Sequence, residues 1–244
     1  MSRGLLICLS GIESSGKSTQ LKRLMKFAHA QGLRPFYIWT RPGYTRNLEA
    51  CKRFIRSLKS AGKSRGKFEA RQSDGPGSPA SEGKQRDYPR RAKGFDSALG
   101  RRVWLTLSLI DLIIVYGVQI RYRLWRGQTV ICDRYLWDGL VDFRNNFPDD
   151  AVESGILWRI LLALAPQPDV AYFLLIPVQE SLHRSKIRER GFQDSEADLQ
   201  KRLDQYKLVA EQFQWPVLDG QRPVDELAEE IQSRIGALVQ AAKT

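Results

Sequence analysis

Two kinds of hydrophobic run alternate along the chain. Leu5-Leu6-Ile7-Cys8-Leu9, Phe36-Tyr37-Ile38-Trp39, Gln128-Thr129-Val130-Ile131-Cys132 and Asp169 to Ile176 are short and nearly unbroken. Such runs mark strands buried on both faces of a parallel sheet. Val217-Leu218 is a shorter fifth example. Between them lie segments with helical spacing. Gln20 to Ala28 puts Leu21, Leu24, Met25 and Ala28 on one face, and about Arg46 to Ser60 turns Leu48, Cys51, Phe54, Ile55 and Leu58 inward. Helices are also expected from about Ser154 to Ala165 (stopped by Pro166 and Pro168), Glu180 to Arg190 (closed by Gly191), Ala197 to Phe213 and Val224 to about Val239. Strand and helix alternate throughout. The prediction is an α/β protein of three layers, with a mainly parallel five-stranded sheet covered by helices on both faces.

Two stretches depart from this rhythm. Val103 to Ile120 is the most apolar part of the chain. As a helix its 18 residues would cover about 27 Å, enough to approach the span of a bilayer. Asp111 at its middle would cost roughly 2.5–3.5 kcal/mol in lipid, and Thr106, Ser108 and Gln119 weaken the case further. The expectation is therefore no membrane span but a buried helix, with Arg121, Arg123 and Arg126 as its solvated end. Residues 61–98 form the other departure, rich in Gly, Ser, Pro and charge, with nine Lys and Arg against five Asp and Glu. This basic insertion reads as a solvated loop or as a flap over an anionic ligand.

Composition narrows the partners. Lys plus Arg number 39 against 27 Asp plus Glu, a formal charge of +12 at pH 7. That balance favours anionic partners: nucleotides, nucleic acid or an acidic surface. The three cysteines have no paired spacing, and Cys8 and Cys132 fall in predicted core strands, so reduced thiols are expected. No signal-peptide pattern precedes the first strand, and a cytoplasmic location follows.

The chemistry is carried first by Gly11-Ile12-Glu13-Ser14-Ser15-Gly16-Lys17-Ser18-Thr19, which fits the phosphate-loop pattern G-x-x-x-x-G-K-[ST] between a predicted strand and a predicted helix. Gly11 and Gly16 let the backbone turn its N–H groups, with those of Ser14 and Ser15, toward an anion. The helix beginning near Lys17 adds its positive end. Lys17 should reach the β- and γ-phosphates of ATP, and the Ser18 hydroxyl should bind Mg²⁺ with Thr19 beside it. In a parallel sheet, ligands gather at the carboxyl ends of the strands. Asp133 and Arg134 stand at one such end: the carboxylate belongs on the Mg²⁺ side, and the guanidinium can hold an acceptor phosphate. Arg41 ends the second strand. In the charged helix Arg184 and Arg188 are four apart, as are Lys186 and Arg190. This is either a solvated helix or a lid, at about 178–195, whose arginines close on transferring phosphates.

These residues together resemble the thymidylate kinases, of the nucleoside monophosphate kinase group of P-loop enzymes. The marks are Gly11 to Gln20, Arg41-Pro42-Gly43-Tyr44-Thr45, Asp133-Arg134-Tyr135, Pro168-Asp169-Val170, the segment Glu180 to Gly191, and Leu218-Asp219-Gly220. The resemblance covers most of the chain except 61–98 and implies one P-loop kinase domain over 1–244. It implies ATP- and Mg²⁺-dependent phosphoryl transfer to a nucleoside monophosphate, and a homodimer. It places Glu13 near the acceptor and Arg134 on the acceptor phosphate, and gives Arg184 and Arg188 to the donor; Arg41 and Asp138 are further acceptor-side candidates. There are departures. The family's thymine-reading arginine falls by spacing at Leu112 or Ile113, and Asp138 and Val141-Asp142-Phe143 replace the residues usual after Asp-Arg-Tyr. A kinase of another small acceptor, a nucleoside or a sugar, stays open. So does a P-loop protein whose basic insertion binds nucleic acid or a partner, although nucleic acid is the less favoured of these.

Overall fold

The computed structural model describes residues 3–43, 98–187 and 195–241. The expected helix at 46–60, the basic insertion up to residue 97, the Tyr44-Thr45 turn, and Arg188 with the rest of 188–194 lie outside these residues.

Five strands form one sheet: β1 (Leu6–Gly11), β2 (Pro35–Trp39), β3 (Thr129–Asp133), β4 (Val170–Leu175) and β5 (Val217–Asp219). Their order is β2-β3-β1-β4-β5, and every pairing is parallel. The sheet is thus wholly parallel, as the unbroken apolar runs require. Alternation along β1 divides the core. Ile7 and Leu9 face α1 (Lys17–Ala30) and α7 (Val224–Ala241), meeting Leu21, Leu24, Ile231 and Ile235. Leu6 and Cys8 face the opposite layer. That layer comprises α2 (Ala98–Trp125), α3 (Leu136–Asn146), α4 (Ile156–Leu164) and α6 (Glu196–Phe213). The remaining helix, α5 (Val178–Ile187), leaves the end of β4. Cys8 and Cys132 are buried, unbridged neighbours in the β1–β3 register.

The apolar stretch at 103–120 is part of α2, whose Ile114–Ile120 segment is π-helical. Gly117 sits there because a Cβ would approach Leu164 Cβ to 3.0 Å. The helix is long and apolar enough to cross a bilayer, yet 44% of its most apolar window is buried in the protein. Leu105, Leu109, Leu112, Tyr116 and Ile120 pack inward, while Val103, Leu107, Ile110, Ile114 and Val118 are exposed. The buried helix expected from the sequence is therefore buried along one face only. A helix that the pattern did not predict, α3, follows Asp-Arg-Tyr. Every residue from Leu136 to Phe143 is buried, so it shows no polar face to give it away.

Candidate active site

The carboxyl ends of the strands converge on one edge of the sheet, as a doubly wound fold demands. The phosphate loop leaves β1 through Gly11, at φ +128°, where a Cβ would lie 2.1 Å from the Leu174 carbonyl oxygen. Only glycine tolerates both constraints. Ser14 adopts φ +57° and Gly16 φ +98° before α1 begins. Lys17 is buried and curls over its own loop: Nζ donates to the carbonyls of Gly11 (2.9 Å) and Ile12 (2.5 Å) and to Ser15 Oγ (3.3 Å). Burial and the nearby Arg134 charge lower its pKa from 10.5 to about 8, against the opposite pull of Glu13, Asp133 and Asp138. Ser18 is exposed in the first turn of α1, and Thr19 is partly so.

α5 braces the loop. Ser185 Oγ lies 2.7 Å from Ser14 Oγ, and Ser181 Oγ donates to the Glu13 carbonyl at 2.9 Å. Arg184 donates to Glu180 Oε1 (2.5 Å) and to the Gly220 carbonyl (3.1 Å). Gly220 in turn abuts the loop, where a Cβ would come within 2.7 Å of the Ser15 carbonyl oxygen. The segment expected as a lid thus begins as a helix seated on the phosphate loop, with Arg184 beside it.

Asp133 ends β3, in register with Leu9 of β1 and Trp39 of β2. Its Oδ2 accepts a hydrogen bond from the Tyr37 hydroxyl at 3.0 Å. The next residue, Arg134, is a non-glycine held at φ +72°, a conformation that costs of order 1–3 kcal/mol and collects at functional sites. Its backbone is fixed by a bond from its N–H to the Leu9 carbonyl (3.0 Å) and by the Thr40 hydroxyl on its own carbonyl (3.0 Å). The side chain then reaches three partners: Glu13 Oε1 (3.0 Å), Asp138 Oδ1 (3.3 Å) and the Tyr206 hydroxyl (3.1 Å). Burial opposes its charge, but Tyr206, Glu13, Asp138 and Asp142 keep the guanidinium well above its usual pKa.

The carboxylates around it are paired in the same way. Asp138 Oδ2 accepts from the Tyr135 backbone N–H (2.9 Å), capping α3, and its Oδ1 accepts from Tyr206 (2.6 Å). Asp142, one turn on, accepts from Arg41 Nε (3.0 Å) and Arg202 Nη1 (2.8 Å). Burial pushes the Glu13 carboxyl up, but Arg202, Arg134, Lys17 and Arg41 together hold it far below its ordinary value. Asp142 is likewise lowered, Arg41 and Arg202 outweighing its burial.

The expected site residues other than Arg188, which lies outside the described residues, fall along one edge of the sheet. Gly11 to Thr19, Glu13, Arg41, Asp133, Arg134, Asp138 and Arg184 all lie on the loops and helices that leave the strand ends. Sequence reasoning missed Arg202 and Tyr206 on α6, and with them Tyr37. An arginine on the apolar face made by Leu199, Leu203, Tyr206 and Val209 was the available signal. Among the described residues no cluster of three acidic, His or Cys side chains could hold a metal alone. One carboxylate and one hydroxyl suit Mg²⁺, which keeps several waters and is completed by substrate phosphates.

A phosphate loop on β1, an acid–arginine pair on β3 and a wholly parallel sheet define a P-loop phosphotransferase. The profile of the thymidylate kinase family matches residues 112–231. A probable thymidylate kinase of Pyrococcus horikoshii is 33% identical over 173 residues, covering 59% of this chain and 77% of that one. A probable thymidylate kinase of Pyrococcus abyssi is 25% identical over 233 residues, 94% of each chain. A thymidylate kinase of Synechococcus sp. is 24% identical over 245 residues, 97% of this chain and 99% of its own. The chain belongs to the thymidylate kinase family and is a nucleotide kinase.

Proposed function

We propose that this protein transfers the γ-phosphoryl group of ATP, with Mg²⁺, to a nucleoside monophosphate, and does so within a single kinase domain. The observation that carries the reading is the junction of the phosphate loop with Arg134: Glu13, one residue before Ser14, is bonded directly to the guanidinium at the end of β3. Donor and acceptor machinery are therefore fixed to each other rather than merely adjacent. Lys17 leaves its own loop carbonyls and turns to the β,γ-phosphates, and the loop N–H groups hold the same anion. Ser18 and Asp133 would hold Mg²⁺, which supplies charge neutralisation between the phosphates. Arg134 orients the acceptor phosphate, and Arg184 stands beside the loop on the donor side. Catalysis is then mostly positioning and charge stabilisation.

Thymidylate is the acceptor that the relatives' names point to. On the side proposed for the acceptor, Gly139 packs near Pro42 and Leu112 (3.4 and 3.6 Å from its Cβ position), and α3 carries Asp138 and Asp142. The test is ADP release with ATP and Mg²⁺ over thymidylate, uridylate, cytidylate, guanylate and adenylate, beside nucleosides and sugars. Turnover of one monophosphate well above the nucleosides is expected. A nucleoside or sugar as best acceptor would overturn the reading, and so would full turnover by a folded Lys17→Ala variant.

The same reading includes a homodimer and a cytoplasmic location. The exposed face of α2 supports the dimer. Its apolar residues recur every three or four positions, with no exposed charge between Arg102 and Arg121. Extended apolar faces of this kind mark protein–protein contact sites. Sedimentation equilibrium would reveal a monomer if the reading is wrong.

A further inference from the structure

Arg202 belongs to no motif, yet it lies at the centre of the acceptor side. It sits on α6 with 7% exposure. Its Nη1 donates to Asp142 Oδ1 at 2.8 Å and to Glu13 Oε1 at 3.3 Å. That same Glu13 oxygen receives Arg134 Nη2 at 3.0 Å. Two guanidinium groups, from the end of β3 and from α6, thus converge on one anionic oxygen. Arg41 reaches the far side of Asp142. The groups form an alternating chain: Arg41, Asp142, Arg202, Glu13, Arg134.

An ion pair that merely ties α6 to α3 would look different. Glu13 is held by two cations at Oε1, while its Oε2 is buried and takes no hydrogen bond among the described residues. A carboxylate with one crowded oxygen and one bare one is an incomplete partner for two arginines. A phosphate supplies what the carboxylates lack, namely several oxygens at the spacing a guanidinium fork prefers. Tyr206, one turn after Arg202, fixes Arg134 from the same helix, so α6 presents both parts of the pair.

We propose that Arg202 is a third acceptor-phosphate ligand beside Arg134 and Arg41. Glu13 Oε1 and Asp142 occupy positions that the acceptor's phosphate oxygens take on binding. The inference rests on the reading of the acceptor as a nucleoside monophosphate.

The experiment compares thymidylate with thymidine, which lacks the phosphate. Both are titrated by calorimetry into wild type, Arg202→Gln and Arg202→Lys, with thermal melts to verify folding. Steady-state kinetics with ATP, Mg²⁺ and thymidylate run in parallel. Loss of a charge-assisted contact predicts a ten- to hundredfold weaker thymidylate Kd and acceptor KM in Arg202→Gln. Thymidine binding and the ATP KM should stay within twofold. Arg202→Lys should fall between, since a single ammonium replaces the fork. A structural tie would weaken thymidylate and thymidine alike, and that result overturns the proposal, as does an unchanged thymidylate Kd. If Arg202→Gln does not fold, the thymidylate-to-thymidine ratio in Arg202→Lys decides. A wild type that binds thymidylate better than thymidine but turns over no monophosphate sinks the functional reading, while the binding ratios still judge Arg202. A wild type that binds both equally overturns both.

Discussion

Nucleotide binding should take up a proton through Lys17. The Lys17 ammonium is buried among Gly11, Ile12 and Ser15 with Arg134 nearby, and its pKa is about 8. A bound β,γ-phosphate puts an opposite charge on the amine and returns it to the charged form. With a pKa of about 8, the free enzyme holds Lys17 about nine-tenths charged at pH 7 and about one-tenth charged at pH 9. The apparent affinity for Mg-ATP should therefore fall about tenfold over that interval, close to 1.4 kcal/mol. The terminal phosphate is already ionised there, so it does not contribute the slope. At pH 8.5 each binding event should absorb about three-quarters of a proton. Isothermal titration in two buffers of different ionisation enthalpy reads that number directly. Lys17→Arg, charged at every pH used, should bind without proton uptake. Equal heats in both buffers and a flat affinity from pH 7 to 9 would refute the account. Uptake that persists in Lys17→Arg would place the proton elsewhere.

Other consequences follow from the same contacts. Arg134→Ala should raise the acceptor KM by ten- to a hundredfold, since it removes a charge-assisted contact, and steady-state kinetics at saturating ATP check it. Gly220→Ala forces a Cβ to 2.7 Å from the Ser15 carbonyl oxygen and 2.8 Å from Ile176 Cγ2. It should cost about 1–3 kcal/mol, seen as a lowered Tm, together with weaker ATP binding because the phosphate loop must move. Glu13 and Asp142 have lowered pKa values, so the unfolded chain binds more protons than the folded one in acid. Stability is then full above the ordinary carboxylate pKa and falls as pH drops below it. Urea unfolding between pH 6 and 3 should show that slope, and Glu13→Gln should flatten it.

The readable parts of this fold are those whose causes are local. β1, the phosphate loop and α1 are contiguous, so an apolar run, two glycines and a helical stripe suffice to predict them. β3 and β4 are legible because burial on both faces leaves no polar residue to break the run. Asp133 and Arg134 are legible by position alone, directly after such a strand. α2 was half read: its hydropathy is plain, but which face the protein covers depends on α4 and α3 packing beside it. α3 was lost for the opposite reason. Burial on every side erases the period of 3.6, and its two aspartates look like surface residues until their partners are known.

Those partners explain why the charge network around Arg134 is not legible in the sequence. Asp142 is 60 residues from Arg202, and Glu13 is 189 residues from it. No spacing rule connects them. What joins them is topology: β1 lies between β3 and β4, so the phosphate loop sits between the arginine that follows β3 and the helices that follow β4. A charge placed on α6 in this order faces the loop from the side opposite Arg134. The phosphate loop is written in one peptide and survives as a motif. The charge network around Arg134 is assembled from the phosphate loop, the ends of β2 and β3, α3 and α6, each contributing one or two side chains, and its charges are matched across the assembly rather than along the chain.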